Sequence, residues 1–304
     1  MDLVELAPVR PYDLAASVRG ADGITRRVRG GVVELALRGG AARVRQRADG
    51  TLAIALDADD PVAAERAVRF LLACDEPVDG LLDLARADDL LGAAVRRTPG
   101  LRALRTETVA HAALRAFAGQ LITYREAQAI ERRVLRLATR VPAGGLAPSP
   151  TADELLTLGA ARITACGLAP KRAEALMRLL RTVDLERLRD RDPDRVAARL
   201  RRESQIGPWT VGVIGLHGYG WADHGLVGDL NLMRLAGALA GREATAEDTE
   251  RLLAPYAPWR GLASLHLMGH PRARVRRGRD AAAGVPPRRF ERLTPAFGGL
   301  CSIH

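Results

Sequence analysis

The stretch Gln205-Ile206-Gly207-Pro208-Trp209-Thr210, followed by Val227-Gly228-Asp229-Leu230, constrains this chain more than any other part of it. Proline opens helices at their first position and cannot continue one that runs into it, so Gly207-Pro208 marks a corner. The pattern predicts a helix over 193–202, a tight turn at 205–208, a second helix over 209–217 and a third over 230–240 headed by Asp229. Glycine in such a corner leaves backbone N–H groups uncovered, able to face an anion, while Ile206 would plug the space between the helices. Asp229 follows Gly228 and precedes Leu232, Leu235 and Leu239 on one helical face. Two roles fit it: a plain helix N-cap, for which Asp is among the best residues, or an anion aimed into the groove beside the corner.

The 304 residues suffice for two domains with their own cores, and a composition of 47% hydrophobic and 27% charged residues is that of a globular protein. No apolar run reaches the roughly 18 residues that a membrane helix needs. The segment Met1-Asp2-Leu3-Val4-Glu5 lacks the basic-then-apolar plan of a signal peptide, so a cytoplasmic protein is expected. Cys74, Cys166 and Cys301 are too scattered for a disulfide framework or a paired zinc motif, and His111, His217, His224, His266, His270 and His304 show no metal-ligand spacing. The net charge is +10. Residues 1–82 hold 11 Arg against 13 Asp and Glu, and residues 271–304 hold 8 Arg against 2 acids, which leaves the segment between them basic as well. That distribution suits a nucleic-acid partner, although with Lys171 as the only lysine the arginine content is partly a compositional habit.

Along the chain, 32–38, 42–46 and 51–56 alternate as strands between the turn signals Gly30-Gly31, Gly39-Gly40 and Asp49-Gly50. Helical spacing appears at 12–18 and 61–72, and then near 83–95, 107–118, 123–139, 151–158, 171–180, 193–202, 209–217, 230–240, 246–254 and 260–268. The expected architecture is an α+β N-terminal domain with an antiparallel sheet at 1–82, an all-α helix-hairpin-helix domain at 83–270, and an Arg-rich, disordered tail at 271–304.

The segments Ala118-Gly119-Gln120-Leu121-Ile122, Ile206-Gly207-Pro208-Trp209-Thr210, Gly228-Asp229-Leu230 and Tyr256-Ala257-Pro258-Trp259-Arg260-Gly261-Leu262-Ala263-Ser264 resemble the helix-hairpin-helix (HhH-GPD) DNA glycosylase superfamily, in its 3-methyladenine DNA glycosylase II (AlkA-like) branch. Residues 1–82 are more loosely similar to the N-terminal α+β domain of that branch, and the tail has no counterpart. The resemblance implies a monomeric enzyme of base excision repair in the cytoplasm, at the nucleoid. Its partner would be double-stranded DNA containing damaged bases, with no cofactor, no metal and no membrane. It implies that Asp229 is the catalytic carboxylate, because cleaving a base–sugar bond builds positive charge on the sugar that a fixed anion stabilises. Leu121 falls where the family places a wedge that fills the gap left by a flipped nucleotide, with Gln120 beside it to touch the opposite strand or the pocket.

Gln205, Ile206, Gly207, Pro208 and Thr210 would hold the DNA backbone, with Gln205 standing where the family usually has glycine. Trp209 would form the wall on which a flipped base stacks, joined by Tyr124, with Met268 where some relatives carry another aromatic residue. Family members that also cut the strand carry a Schiff-base lysine at the position of Trp209. Here it is an indole and Lys171 lies in another predicted helix, so the expected chemistry is hydrolysis: a monofunctional DNA glycosylase that releases alkylated purines such as 3-methyladenine and 7-methylguanine. Two alternatives stay open, a glycosylase for deaminated or oxidised bases and a noncatalytic DNA-binding protein. The three cysteines rule out the four-cysteine iron–sulfur cluster of some relatives. His217 and His224, flanking the loop to Asp229, offer either DNA contacts or packing.

Overall fold

A computed structural model describes residues 2–141 and 144–273; most of the Arg-rich tail, with Cys301 and His304, lies outside the described residues. The chain begins with a five-stranded antiparallel sheet of β1 (Asp2–Leu6), β2 (Arg26–Arg29), β3 (Val32–Leu37), β4 (Gly40–Gln46) and β5 (Leu52–Ala58), in the order β1-β5-β4-β3-β2. Gly30 and Gly31 both take positive φ, as the two-residue turn between β2 and β3 requires. Alternate residues Val33, Leu35, Val44, Leu52, Ile54 and Leu56 are buried with Val68, Leu71 and Leu72, contributed by α2 (Pro61–Leu71) and its C-terminal end. The short α1 (Leu14–Ser17) precedes β2. Strands β1 and β2 add to the three expected from alternation. Both lie at edges of the sheet: β1 pairs with β5 some 50 residues away in sequence, and β2, Arg26-Arg27-Val28-Arg29, lacks the apolar alternation that marks a strand.

Eleven further α-helices follow among the described residues: α3 (Asp79–Ala87), α4 (Asp89–Arg97), α5 (Val109–Gly119), α6 (Tyr124–Thr139), α7 (Ala152–Ala165), α8 (Pro170–Thr182), α9 (Pro193–Leu200), α10 (Pro208–Ile214), α11 (Leu230–Ala240), α12 (Ala246–Leu253) and α13 (Arg260–Met268). They enclose a second apolar cluster that includes Leu114, Phe117, Leu176, Ile214 and Leu232. The segment expected as one helix near 83–95 is two, because the Asp88 carboxylate accepts the Leu91 N–H at 2.6 Å and caps α4. The helix expected over 151–158 runs on to Ala165 through a kink at Gly159, whose φ is 77°. Pro271–Ala273 form a 3-10 turn with Ala273 buried in the helical cluster.

A buried ion network ties the loop before β2 to α5 and α6. Glu131 Oε1 accepts from His111 Nε2 at 2.8 Å and pairs with Arg115 Nη2 at 2.9 Å, and Asp22 lies 3.8 Å from Arg115. Burial pushes the Glu131 carboxyl up, but the Arg115 charge and the bond from His111 outweigh it and hold the carboxyl well below the usual range. Asp22, His111 and Glu131 bring ligand-type atoms within 4.8 Å of one another. Those atoms are engaged by Arg115 and by the backbone N–H groups of Ile24 and Thr25. The network anchors the two helices between which Gln120 and Leu121 turn.

Candidate active site

The corner sits where the sequence places it. Helix α9 ends at Leu200, Ile206 is buried beneath the turn, and Gly207 caps α10 with Pro208 as its first residue. Gln205 takes φ 65°, the left-handed conformation that glycine adopts freely, so the turn keeps its shape despite the side chain. Gly207 is extended (φ −96°, ψ −179°), which any residue could adopt, and a Cβ built there meets nothing within 4 Å. Neither backbone strain nor internal packing calls for glycine at 207, and its outer face is open to a close partner.

Asp229 is set beside α10 by a pinned loop. Leu226 N–H donates to the Ser264 hydroxyl of α13 at 3.1 Å, Gly228 N–H to the Thr249 hydroxyl of α12 at 2.8 Å, and Asp229 N–H to the Leu226 carbonyl at 3.0 Å. Gly228 turns at φ 85°. Gly212 of α10 packs on this loop, where a Cβ would lie 2.7 Å from the Gly225 carbonyl. Asp229 Oδ1 caps α11, accepting from Asn231 N at 2.8 Å and Leu232 N at 3.4 Å, while Oδ2 accepts from the Trp209 indole Nε1 at 3.2 Å. The carboxylate divides its oxygens: one serves the helix as its cap, and the other faces the indole. Trp209 in turn rests on Gly119, where a Cβ would sit 2.7 Å from its Cη2.

Gln120 and Leu121 lie just beyond Gly119. Leu121 is 83% exposed and takes φ 53°, so it is not a core leucine. Gln120 Nε2 donates to the Gln205 carbonyl at 2.8 Å and to the Thr210 hydroxyl at 3.0 Å, and Arg172 Nη1 donates to the Gln120 carbonyl at 2.5 Å. Thr210, like Ile206, is buried, and both hold the corner together from inside. Tyr124, 67% exposed, is not in this group; its hydroxyl accepts from Gln128 at 3.3 Å and lies against Gly20. Met268 ends α13, half-buried against the helical cluster. His217 is held by the Leu104 carbonyl at 2.7 Å, and burial of its ring pushes its pKa down to about 3. His224 packs against Trp221 with ring centroids 4.7 Å apart and the planes tilted by 45°. Both histidines are engaged internally.

Sequence reasoning missed Thr249, Arg172 and the reason for Gly119. It singled out the 256–264 segment without a role. That segment braces the loop to Asp229: Ser264 takes the Leu226 N–H, Arg260 pairs with Asp223, and Gly261 packs against the Ala222 carbonyl.

No family model matches the chain. In fold, the chain is similar to solved DNA glycosylases: a sheet-bearing N-terminal unit is followed by a helical unit that carries the corner at 205–208. A 3-methyladenine DNA glycosylase from Archaeoglobus fulgidus superimposes with a TM-score of 0.73, covering 88% of this chain and 97% of that one at 19% identity. The Clostridium acetobutylicum 8-oxoguanine glycosylase/lyase, in complex with double-stranded DNA containing cytosine opposite 8-oxoguanine, gives 0.71 over 88% and 97% at 13% identity. In sequence, the chain is 28% identical over 215 residues to a probable bifunctional transcriptional activator/DNA repair enzyme AlkA of Mycobacterium tuberculosis, covering 69% of this chain. The match spans 43% of that relative's length. Among the described residues, no helix is long and apolar enough to cross a membrane.

Proposed function

We propose that this chain is a DNA glycosylase that flips alkylated purines out of double-stranded DNA and releases them by hydrolysis, leaving the strand intact. The observation that carries this reading is the bond from the Trp209 indole to Asp229, with the carboxylate in reach of the face on which a base could stack. Double-stranded DNA binds along the corner, where Gly207 gives its backbone room. Leu121 enters the stack as the damaged nucleotide leaves it; Tyr124, turned toward Gly20 and Gln128, takes no part. The flipped base lies on Trp209, with Met268 at the far wall. A purine alkylated at N3 or N7 is cationic and departs with its electron pair. Asp229 stabilises the sugar cation that forms and orients the attacking water. The water oxygen bonds to the sugar carbon, its proton is released, and the base leaves neutral. Asp229 suits this task because, among the described residues, Oδ2 accepts only the one indole N–H and keeps lone-pair capacity toward the sugar.

The name of the Archaeoglobus neighbour supports an alkylated purine, and that of the Clostridium neighbour raises an oxidised base as the competing substrate. Trp209 favours the first, since the reading needs no amine there. Single-turnover base release from duplexes carrying 7-methylguanine, hypoxanthine, uracil or 8-oxoguanine tests the proposal. Fastest release of 7-methylguanine is expected, undiminished in EDTA. Release of 8-oxoguanine without release of methylated purine would replace this substrate, and release of none would leave a DNA-binding protein.

A further inference from the structure

The turn that carries Leu121 and the turn of the hairpin belong to segments 85 residues apart, yet one side chain joins them. Gln120 sends one amide N–H to the Gln205 carbonyl and another to the Thr210 hydroxyl. A glutamine amide has two hydrogens, so neither is left to read a base edge. Both turns hold a non-glycine residue in the left-handed region, Leu121 at φ 53° and Gln205 at φ 65°. Neither residue prefers that conformation alone, so each turn needs an outside hold. Arg172, from the first turn of α8, supplies a third tie by donating to the Gln120 carbonyl.

We propose that Gln120, fixed by Arg172, is a positioning residue that locks the Leu121 turn to the hairpin, so that the group entering the duplex and the surface gripping its backbone move as one body. The inference rests on the glycosylase reading for its consequence in catalysis, though not for the link itself. A wedge that shifts relative to the clamp enters the stack late or out of register, and base flipping slows whichever base lies opposite. A Gln120 that touched the opposite strand would instead give an effect that depends on that base.

The test compares wild type with Gln120→Glu, which keeps the shape and loses both donors, with Arg172→Ala, and with the double variant. Single-turnover release of 7-methylguanine placed opposite each of the four bases is measured, together with amide hydrogen exchange at 119–123 and 205–207 in the free proteins. Gln120→Glu is expected to slow release roughly tenfold, about the worth of one lost hydrogen bond, by one factor for all four partners. Arg172→Ala is expected to slow it less. The double variant should match Gln120→Glu within about twofold, because both residues act on one link. Exchange should quicken in both turns for each single variant. A factor that changes with the opposite base, or independent multiplying effects, would overturn the proposal. If wild type releases no base, the functional reading fails by itself. The exchange data then still judge the link: faster exchange at 205–207 in Arg172→Ala upholds it, and unchanged exchange there refutes it. Arg172→Ala also serves should Gln120→Glu fail to fold.

Discussion

The indole Nε1–H of Trp209 donates to Oδ2 of Asp229 across 3.2 Å, joining the first turn of α10 to the N-cap of α11. The bond sets the plane of the indole against the carboxylate and limits rotation of the carboxylate about its own bond. In the proposed function, a base resting on that ring brings its sugar within reach of the anion.

That link can be loosened from either end. Trp209→Phe keeps an aromatic face and removes the donor, and base release is expected to fall roughly tenfold, as for one lost hydrogen bond to a charged group, with a smaller loss in affinity for an abasic duplex. Gly119→Ala pushes a methyl into the indole. In a helix this change ordinarily stabilises by up to about 1 kcal/mol, so slower release without a lower melting temperature would mark displacement of Trp209 as the cause. Release and melting measured side by side check both variants.

Strand chemistry follows from the same indole. The expected products are free base and an intact abasic strand, and borohydride added during turnover should trap no protein–DNA adduct. Lys171 opens α8 beside Arg172, so an adduct that vanished in Lys171→Ala would show that this amine reaches the sugar and that the chemistry is not purely hydrolytic.

Leu121, at 83% exposure, has little to lose inside the protein. Leu121→Ala is expected to change stability by no more than about 0.5 kcal/mol, unlike the roughly 2–5 kcal/mol of a buried leucine. It should weaken binding to an abasic duplex and slow release from well-paired DNA more than from a mismatch, whose flipping costs less. Equal slowing on both substrates would remove Leu121 from the stack.

Much of the site can be read in the sequence because its signals are local. Gly207-Pro208 announces the corner within two residues, and Asp229 announces its helix by standing before the Leu232, Leu235 and Leu239 stripe. What stays hidden is contact between distant segments. Nothing near Gly119 indicates that it makes room for an indole 90 residues on, or near Arg172 that it reaches Gln120. Strand β1 escapes for the same reason, since its pairing with β5 defines it, whereas β2 pairs with its neighbour β3 and escapes because Arg26-Arg27-Val28-Arg29 carries no apolar alternation. The single helix expected near 83–95 shows the opposite limit: the apolar spacing is right, but Asp88 caps a new helix inside it.

Acid stability should report on His266. Its ring is buried with Nδ1 3.2 Å from the Thr98 hydroxyl, and burial pushes its pKa from the ordinary 6.5 down to about 4. Between those values the unfolded chain takes up a proton that the folded chain refuses. The stability this group contributes is present above about pH 6.5 and is lost as pH falls toward 4, on the order of 3 kcal/mol. Melting temperature followed across that range should fall less steeply for His266→Gln than for wild type; parallel curves would assign the acid lability to other groups.

The central claim is that Asp229 acts by its charge and not only as a cap, and Asp229→Asn separates the two, because Asn caps a helix about as well as Asp. Single-turnover release of 7-methylguanine from duplex DNA, with melting temperature and abasic-duplex affinity measured alongside, is the decisive experiment. The account requires a variant that folds and binds as wild type does while release falls by about 10²-fold or more, the usual cost of losing electrostatic stabilisation of a transition state. Release within a few-fold of wild type would contradict it and leave Asp229 a helix cap.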